Sequence, residues 1–233
     1  MTQELLNIID EYYTLHPEFG TRTMCNYLKS IGCEVNRKRI QNLYKTLGIQ
    51  AIYTKPRTTI INKQHEKYPY LLDRIQVVRK DQAWCTDITY IRMKRGFMYL
   101  VAIMDWYSRY ILSWQLSPFL EADFCIEALK EALQISSCEI FNSDQGSQFT
   151  SKDFTKILKN NNITISMAGK GRCYDNIFIE RFWRTLKHNW IYLNEFNSVS
   201  ELKDGLDYWI KFYNNERVHQ ALAYATPYSI YNK

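Results

Sequence analysis

The chain has 233 residues, of which 46% are hydrophobic and 15% aromatic, with 30 Lys and Arg against 24 Asp and Glu. That balance is sufficient for one large packed domain or two small ones, excludes a largely disordered chain, and contains no run near the roughly 20 apolar residues of a membrane span. The N-terminus carries Glu4, Asp10 and Glu11 where a secretory leader would be basic and then apolar, so the expected location is the cytoplasm.

In chain order, residues 1–20 hold four acids and no Lys or Arg, whereas residues 21–63 hold nine bases against the single acid Glu34. The positive charge of the chain is thus concentrated in one short segment, which attracts phosphate backbones, although a plain solvated basic face has the same composition. Within it, Met24, Tyr27 and Leu28 give Thr21–Lys29 helical spacing, and Ile31-Gly32 ends the run. Asn36 is a candidate N-cap for a second helix, Arg37–Thr46, with the apolar stripe Ile40, Leu43, Tyr44 and Leu47. Arg37, Lys38 and Arg39 fall in its first turn. Two short helices with bases opening the second suit a helix-turn-helix entering a DNA groove, and these three bases are the candidate DNA contacts.

Residues 51–80 read as a linker around Lys55-Pro56-Arg57, which leaves residues 1–50 as an all-α domain and 81–233 as a second domain. The second opens with three strands, Trp84–Arg92, Phe97–Asp105 and Ile111–Leu116, separated by turn signals at Lys94-Arg95-Gly96 and Ser108-Arg109. A helix (Ala122–Leu133), a strand (Glu139–Asn142), a helix (Lys152–Lys159) and a strand (Ile163–Ser166) follow. The helices Asn176–Trp190 and Ser200–Asn214 complete the domain. The order predicts an α/β fold with a mixed sheet. The six cysteines form no C-x-x-C pair and the four histidines lack zinc spacing, so reduced, mostly buried thiols are expected.

Three acids stand in unusual settings. Asp87 lies inside the strand Trp-Cys-Thr-Asp-Ile-Thr-Tyr, where Asp is disfavoured. Asp144 follows a short strand, and loops at strand ends display catalytic groups. Glu180 sits in the first turns of a helix, and 35 residues separate it from Asp144. Singly, each would pass for a surface acid, a cap or an ion-pair partner. Ile179, Trp183, Leu186 and Trp190 form that helix's apolar stripe, beside a stripe of Glu180, Arg184 and Lys187. The latter fits either a grip on DNA or an ion pair between residues i and i+4. Asp175 reads as an N-cap, Asp105 as the residue ordering a strand turn through Ser108 or Arg109, and His219, near Asn214 and Arg217, as either a packing residue or a DNA contact.

Taken together, Trp84–Tyr90, Tyr99–Arg109, Phe141–Thr150, Gly171–Lys187 and Tyr213–Pro227 closely resemble the OrfB transposases of the IS-three family of insertion sequences. Residues 16–49 resemble the helix-turn-helix that precedes the family's core, and Ile177-Phe178 depart from the small residues of many relatives. The resemblance implies a ribonuclease-H-like integrase catalytic core whose acidic triad falls on Asp87, Asp144 and Glu180, with the family's basic residue on Lys187. It implies metal-dependent cleavage at element ends followed by 3′-hydroxyl attack on another phosphodiester, with movement through a circular intermediate. It further implies that Asp87 bridges two Mg²⁺ or Mn²⁺ ions while Asp144 and Glu180 each complete one shell.

Elementary electrostatics agrees with a metal requirement. Two carboxylates about 4 Å apart repel by about 4 kcal/mol at an effective dielectric near 20, and hard divalent cations with oxygen ligands remove that repulsion. The implied partners are element-end and target DNA, an upstream OrfA product or an OrfA–OrfB fusion, and further copies of the chain, bound on the bacterial nucleoid. A ribonuclease-H-like nuclease and a catalytically inactive DNA-binding regulator are the rival readings.

Overall fold

The computed structural model describes residues 2–52, 68–73, 75–169 and 176–233. Asp175, Cys173 and Lys55-Pro56-Arg57, singled out from the sequence, lie outside them. The chain divides into two compact units, residues 1–61 and 62–233.

The first unit contains three helices, α1 (Thr2–Leu15), α2 (Thr21–Ser30) and α3 (Arg37–Leu47). Leu5 and Ile9, one helical turn apart on α1, bury against Met24 and Leu28 of α2 and Ile40, Leu43 and Tyr44 of α3. Helix α1 has no turn or cap signal in the sequence like those of α2 and α3. Its acids are exposed, while Leu5 and Ile9 supply the apolar stripe that recruits it to the core. The α2–α3 turn has the expected chemistry: Gly32 adopts φ 84° and the Asn36 side chain accepts the Arg39 N–H at 2.9 Å.

The second unit is built on a five-stranded sheet in the order β3-β2-β1-β4-β5. Its strands are β1 (Ala83–Arg92), β2 (Phe97–Asp105), β3 (Ile111–Ser117), β4 (Ile140–Ser143) and β5 (Thr164–Met167). β1, β2 and β3 are antiparallel neighbours, and β4 and β5 add parallel to β1. Helices α4 (Asp123–Ile135) and α5 (Lys152–Asn160) connect the strands, while α6 (Ile177–Asn189), α7 (Val199–Asn215) and the short α8 (Pro227–Tyr231) follow them. The mixed sheet with helices is that of the expected ribonuclease-H-like core.

Strand alternation divides the core between the two faces of the sheet. Val101 and Ile103 of β2 pack with α4 and α5, whereas Leu100, Ala102 and Met104 pack with α6 and α7. On β1, Trp84 and Ile88 join the first cluster, and Cys85 and Ile91 the second. Pairing is uneven along β1. β2 pairs with it from Trp84 to Arg92, but β4 pairs only at Ala83, Trp84 and Cys85, so among the described residues no strand covers the other edge of the far half of β1.

Polar contacts lock the ends of the unit together. Asp105, fully buried, accepts the N–H and hydroxyl of Ser108 at 2.7 and 2.6 Å and the Asp81 N–H at 2.8 Å, which is the turn-ordering role read from the sequence. Asp81 accepts from Trp84, Ser136 and Tyr231, fastening α8 beside the start of β1. Asn214 bonds both backbone groups of Ile111 at 2.9 Å, fixing the end of α7 to β3. Cys25, Cys85, Cys125 and Cys138 are buried and Cys33 is half-buried, as expected of mostly buried thiols.

Candidate active site

Asp87 alternates onto the same face of β1 as Cys85 and Ile91, the face covered by α6. The Trp183 indole on α6 donates to Asp87 Oδ2 at 3.0 Å. This explains a tryptophan that the helical pattern assigned to the buried stripe: a buried indole N–H needs an acceptor, and the strand acid supplies it. Ile179, Trp183 and Leu186 are buried as expected, and Phe182 joins them.

Asp144 reaches the same place by strand register. Cys85 pairs with Asn142, so two further residues along each parallel strand lead to Asp87 and Asp144. The hydrogen-bonded ladder has ended there, and the chain turns into the loop after β4. Crevices at the carboxyl ends of parallel strands are where sheets of this kind bind ligands. An open cleft of about 210 Å³ lies at this point, lined by Asp87, Asp144, Ile88, Thr89, Tyr90, Tyr99, Leu120, Gln148 and Phe149. The Gly146 N–H donates to Asp144 Oδ1 at 2.9 Å, and a Cβ on Gly146 would come within 2.8 Å of that same oxygen. Only a glycine allows this close approach.

Glu180 is exposed on α6 and does not line the cleft, but it is near enough for its charge to act on Asp87. Arg184 is also exposed, and among the described residues no ion pair joins it to Glu180. Lys187 is half-buried, with its Nζ 4.8 Å from the centre of the Tyr90 ring. The structure therefore brings Asp87 and Asp144 to one cleft with Glu180 beside it. Among the described residues, no three His, Cys, Asp or Glu side chains are gathered closely enough to hold an ion.

The electrostatics are those of crowded acids. Burial pushes the Asp87 carboxyl up to about 7, with Asp144 and then Glu180 adding to the effect, against the Ile88 N–H and the Trp183 indole. Partial withdrawal from water likewise raises Asp144, opposed by the Gly146 N–H. Burial lowers Lys187, and the Asp87 charge partly restores it. Among the described residues, no Lys or Arg forms an ion pair with Asp87, Asp144 or Glu180. Hard oxygen donors that repel one another without a protein cation between them fit a divalent metal.

Two further residues escaped the sequence reading. Asn176, buried just before α6, donates to the Thr86 carbonyl at 2.9 Å and so ties this helix to β1 next to Asp87. Arg109, with φ 66°, stacks its guanidinium 3.2 Å from the centre of the Phe178 ring. The Ser-Arg turn signal marked its backbone but gave no hint of the stacking. His219 sits edge-on to Tyr213 at 4.9 Å in a turn closed by its bridge to Ala225, an arrangement of packing. Burial, then the charges of Arg217 and Arg109, pushes its imidazole down to about 4. In the helical unit, Arg37, Lys38 and Arg39 are all exposed on the first turn of α3.

The fold and the acid-lined cleft define an integrase-type core. The family described as Integrase core domain matches residues 78–173 and, through a second family of the same description, 161–227; an HTH-like domain matches residues 2–57. The HTLV-2 integrase catalytic core domain, solved in complex with magnesium, superposes with TM-score 0.56 at 19% identity over 67% of this chain and 99% of that one. A chain of the simian T-cell lymphotropic virus intasome, solved with a PP2A regulatory subunit, gives 0.58 at 14% identity over 98% and 74%.

Sequence relatives narrow the class. InsK of insertion sequence element IS150 from Escherichia coli K12 is 30% identical across 97% of this chain and 82% of its own length. The transposase for IS629 of Shigella sonnei is 29% identical across 97% and 77%. InsF, the transposase for IS3A of Escherichia coli K12, is 28% identical across 92% and 77%. The chain belongs to the IS3 (IS-three) family of insertion-sequence transposases, enzymes of the DDE type whose integrase core is metal-dependent.

Proposed function

We propose that Asp87, Asp144 and Glu180 are the catalytic, metal-holding acids of this transposase. The observation that carries the assignment is the strand register, which delivers Asp87 and Asp144 to one cleft while Trp183 ties Asp87 to the helix bearing Glu180. When bound, a pair of Mg²⁺ or Mn²⁺ ions supplies Lewis-acid stabilisation of the attacking and leaving oxygens. The chain's own part is placement. The Trp183 indole fixes the Asp87 carboxylate, the Gly146 N–H fixes that of Asp144, and Asn176 anchors the start of α6 to β1. The reaction is attack of water on a phosphodiester at an element end, which frees a 3′-hydroxyl, then attack of that 3′-oxygen on another phosphorus, each step making one phosphorus–oxygen bond as another breaks.

In this reading residues 1–50 bind DNA through Arg37, Lys38 and Arg39, residues 51–80 join the parts, and residues 81–233 carry the chemistry, with Arg184 and Lys187 touching DNA beside it. Two ends must be held at once, so the chain works as an oligomer on nucleoid DNA, and an upstream OrfA product or an OrfA–OrfB fusion adds end recognition. The test is strand transfer with labelled oligonucleotide ends. Asp87→Asn, Asp144→Asn and Glu180→Gln should each lower joining by about a thousandfold or more, equivalent to about 4 kcal/mol of barrier, with the fold intact. A folded variant that keeps a few per cent of activity, or full activity in excess EDTA, refutes the assignment.

A further inference from the structure

Three residues beyond Asp87 on β1, an aromatic ring stands in the open. Tyr90 is 60% exposed although its neighbours Thr89 and Ile91 are buried, and it lines the cleft that contains Asp87 and Asp144. Two groups hold the ring. Tyr90 pairs with Tyr99 across the β1–β2 ladder, which makes Phe97 its diagonal neighbour, and Phe97 meets it edge-on with centroids 5.6 Å apart. From α6 comes Lys187, whose Nζ lies 4.8 Å from the ring centre. Tyr90 alternates to the face of β1 opposite Asp87, yet α6 packs on the Asp87 side, so Lys187 reaches past the edge that β4 leaves uncovered.

The result is a braced, largely exposed ring with a cation held over one of its faces, next to two carboxylates. A nucleobase of any identity stacks on such a ring, and an ammonium pairs with backbone phosphate. Bases inside a duplex already stack on one another, so a single ring can take only a base that has left the helix. We infer that Tyr90 is a stacking platform for an unpaired nucleobase of the DNA strand entering the cleft, taken on the ring face away from Lys187, with the Lys187 ammonium over the other face to take an adjacent phosphate. The inference rests on the cleft of Asp87 and Asp144 being the reacting site. It makes Tyr90 a positioning residue that recognises strand opening and is indifferent to sequence.

The experiment uses the full chain in EDTA, so that DNA is bound and not cut. The probe is a short forked duplex carrying a fluorescent adenine analogue at the first unpaired position, compared with a fully paired duplex. Wild type and Tyr90→Phe should quench the analogue on forked DNA. Tyr90→Ala and Tyr90→Leu should lose the quench and bind the fork about tenfold more weakly, while affinity for paired duplex is unchanged. Tyr90→Leu keeps an apolar contact for Phe97, which separates loss of stacking from loss of fold. A quench that persists in both the Ala and Leu variants overturns the inference. So does a Tyr90→Phe variant as defective as Tyr90→Ala, because the hydroxyl would then be the acting group, or an equal loss of affinity for paired DNA. Asp87→Asn should keep the quench while losing strand transfer. An active Asp87→Asn variant would refute the acid assignment without touching the stacking result.

Discussion

The two units of this chain differ in how they place one kind of charge. In the helical unit the bases Arg37, Lys38 and Arg39 and the acids Glu4, Asp10 and Glu11 are all exposed, and the core contains only apolar side chains, a thiol and Tyr44. In the integrase core, Asp87 is drawn into the protein beside Asp144, with an indole to orient it and no cation paired to it among the described residues. Exposed charge stays fully solvated and can grip a phosphate backbone at long range with little demand on geometry. A carboxylate raised first by burial and then by neighbouring acids is relieved by a metal, and that requires a rigid frame.

The largest expected effect tests the burial of Asp87, to which the charges of Asp144 and Glu180 add. The Asp87 carboxyl sits at about 7, raised from 3.8, so its contribution to stability is fully present below about pH 4 and is lost as pH rises through 7. The difference is on the order of 4 kcal/mol. In melting experiments without metal, Asp87→Asn should therefore gain on wild type steadily from pH 4 to 8 and be the more stable protein above pH 7. Magnesium should raise the Tm of wild type at pH 8 and leave that of the variant unchanged. Parallel melting curves across this range would show that Asp87 bears no such load.

Next comes the frame itself. A Cβ on Gly205 would lie 2.6 Å from the Trp190 ring, so Gly205→Ala forces apart α7 and the end of α6. Overpacking of this kind costs about 1–3 kcal/mol, readable as a lower denaturation midpoint in urea. No shift in midpoint would mean that the contact can relax freely.

A smaller effect separates orientation from packing. Trp183→Phe retains most of the ring but removes the donor at 3.0 Å from Asp87. Loss of a partner that orients a metal ligand typically lowers activity about 10–100-fold, so strand transfer should fall by that amount while the fold persists. Unchanged strand transfer would make the indole a packing residue alone. The smallest effect falls in the helical unit, where charge does not depend on a rigid frame. Replacing Arg37, Lys38 and Arg39 together by Ala should leave that unit folded and flatten the salt dependence of DNA binding by up to about one unit of slope per lost phosphate contact. An unaltered slope would return these bases to the role of a solvated face.

Much of this molecule was legible in its sequence because the signals are local. Period and turn chemistry marked α2, α3 and all five strands to within a residue or two: Asn36 caps α3, Gly32 takes the left-handed turn, and Gly96 closes the β1–β2 hairpin with φ 83°. An Asp inside a strand, an Asp at a strand end and a Glu on a helix drew attention because each residue type sits poorly in its own setting. Helix α1 was not legible, since its acidic, mostly exposed surface conceals a short apolar stripe that matters only once α2 and α3 are there to cover it.

What the tertiary structure alone decided is what lies between elements. The Cys85–Asn142 register brings Asp87 opposite Asp144 across 57 positions of sequence, and no local pattern encodes a register between strands so far apart. Trp183 reads in sequence as one more apolar residue on a helical stripe, and its bond to Asp87 exists only because α6 packs on that face of β1. Tyr90 reads as an ordinary strand aromatic until β4, which pairs with β1 only as far as Cys85, leaves that edge without a strand partner among the described residues and Lys187 reaches the ring. Sequence alone supplied which residue types the chemistry needs. Their direction and proximity came from packing, because a side chain's reach is fixed by its own backbone and its partner by someone else's.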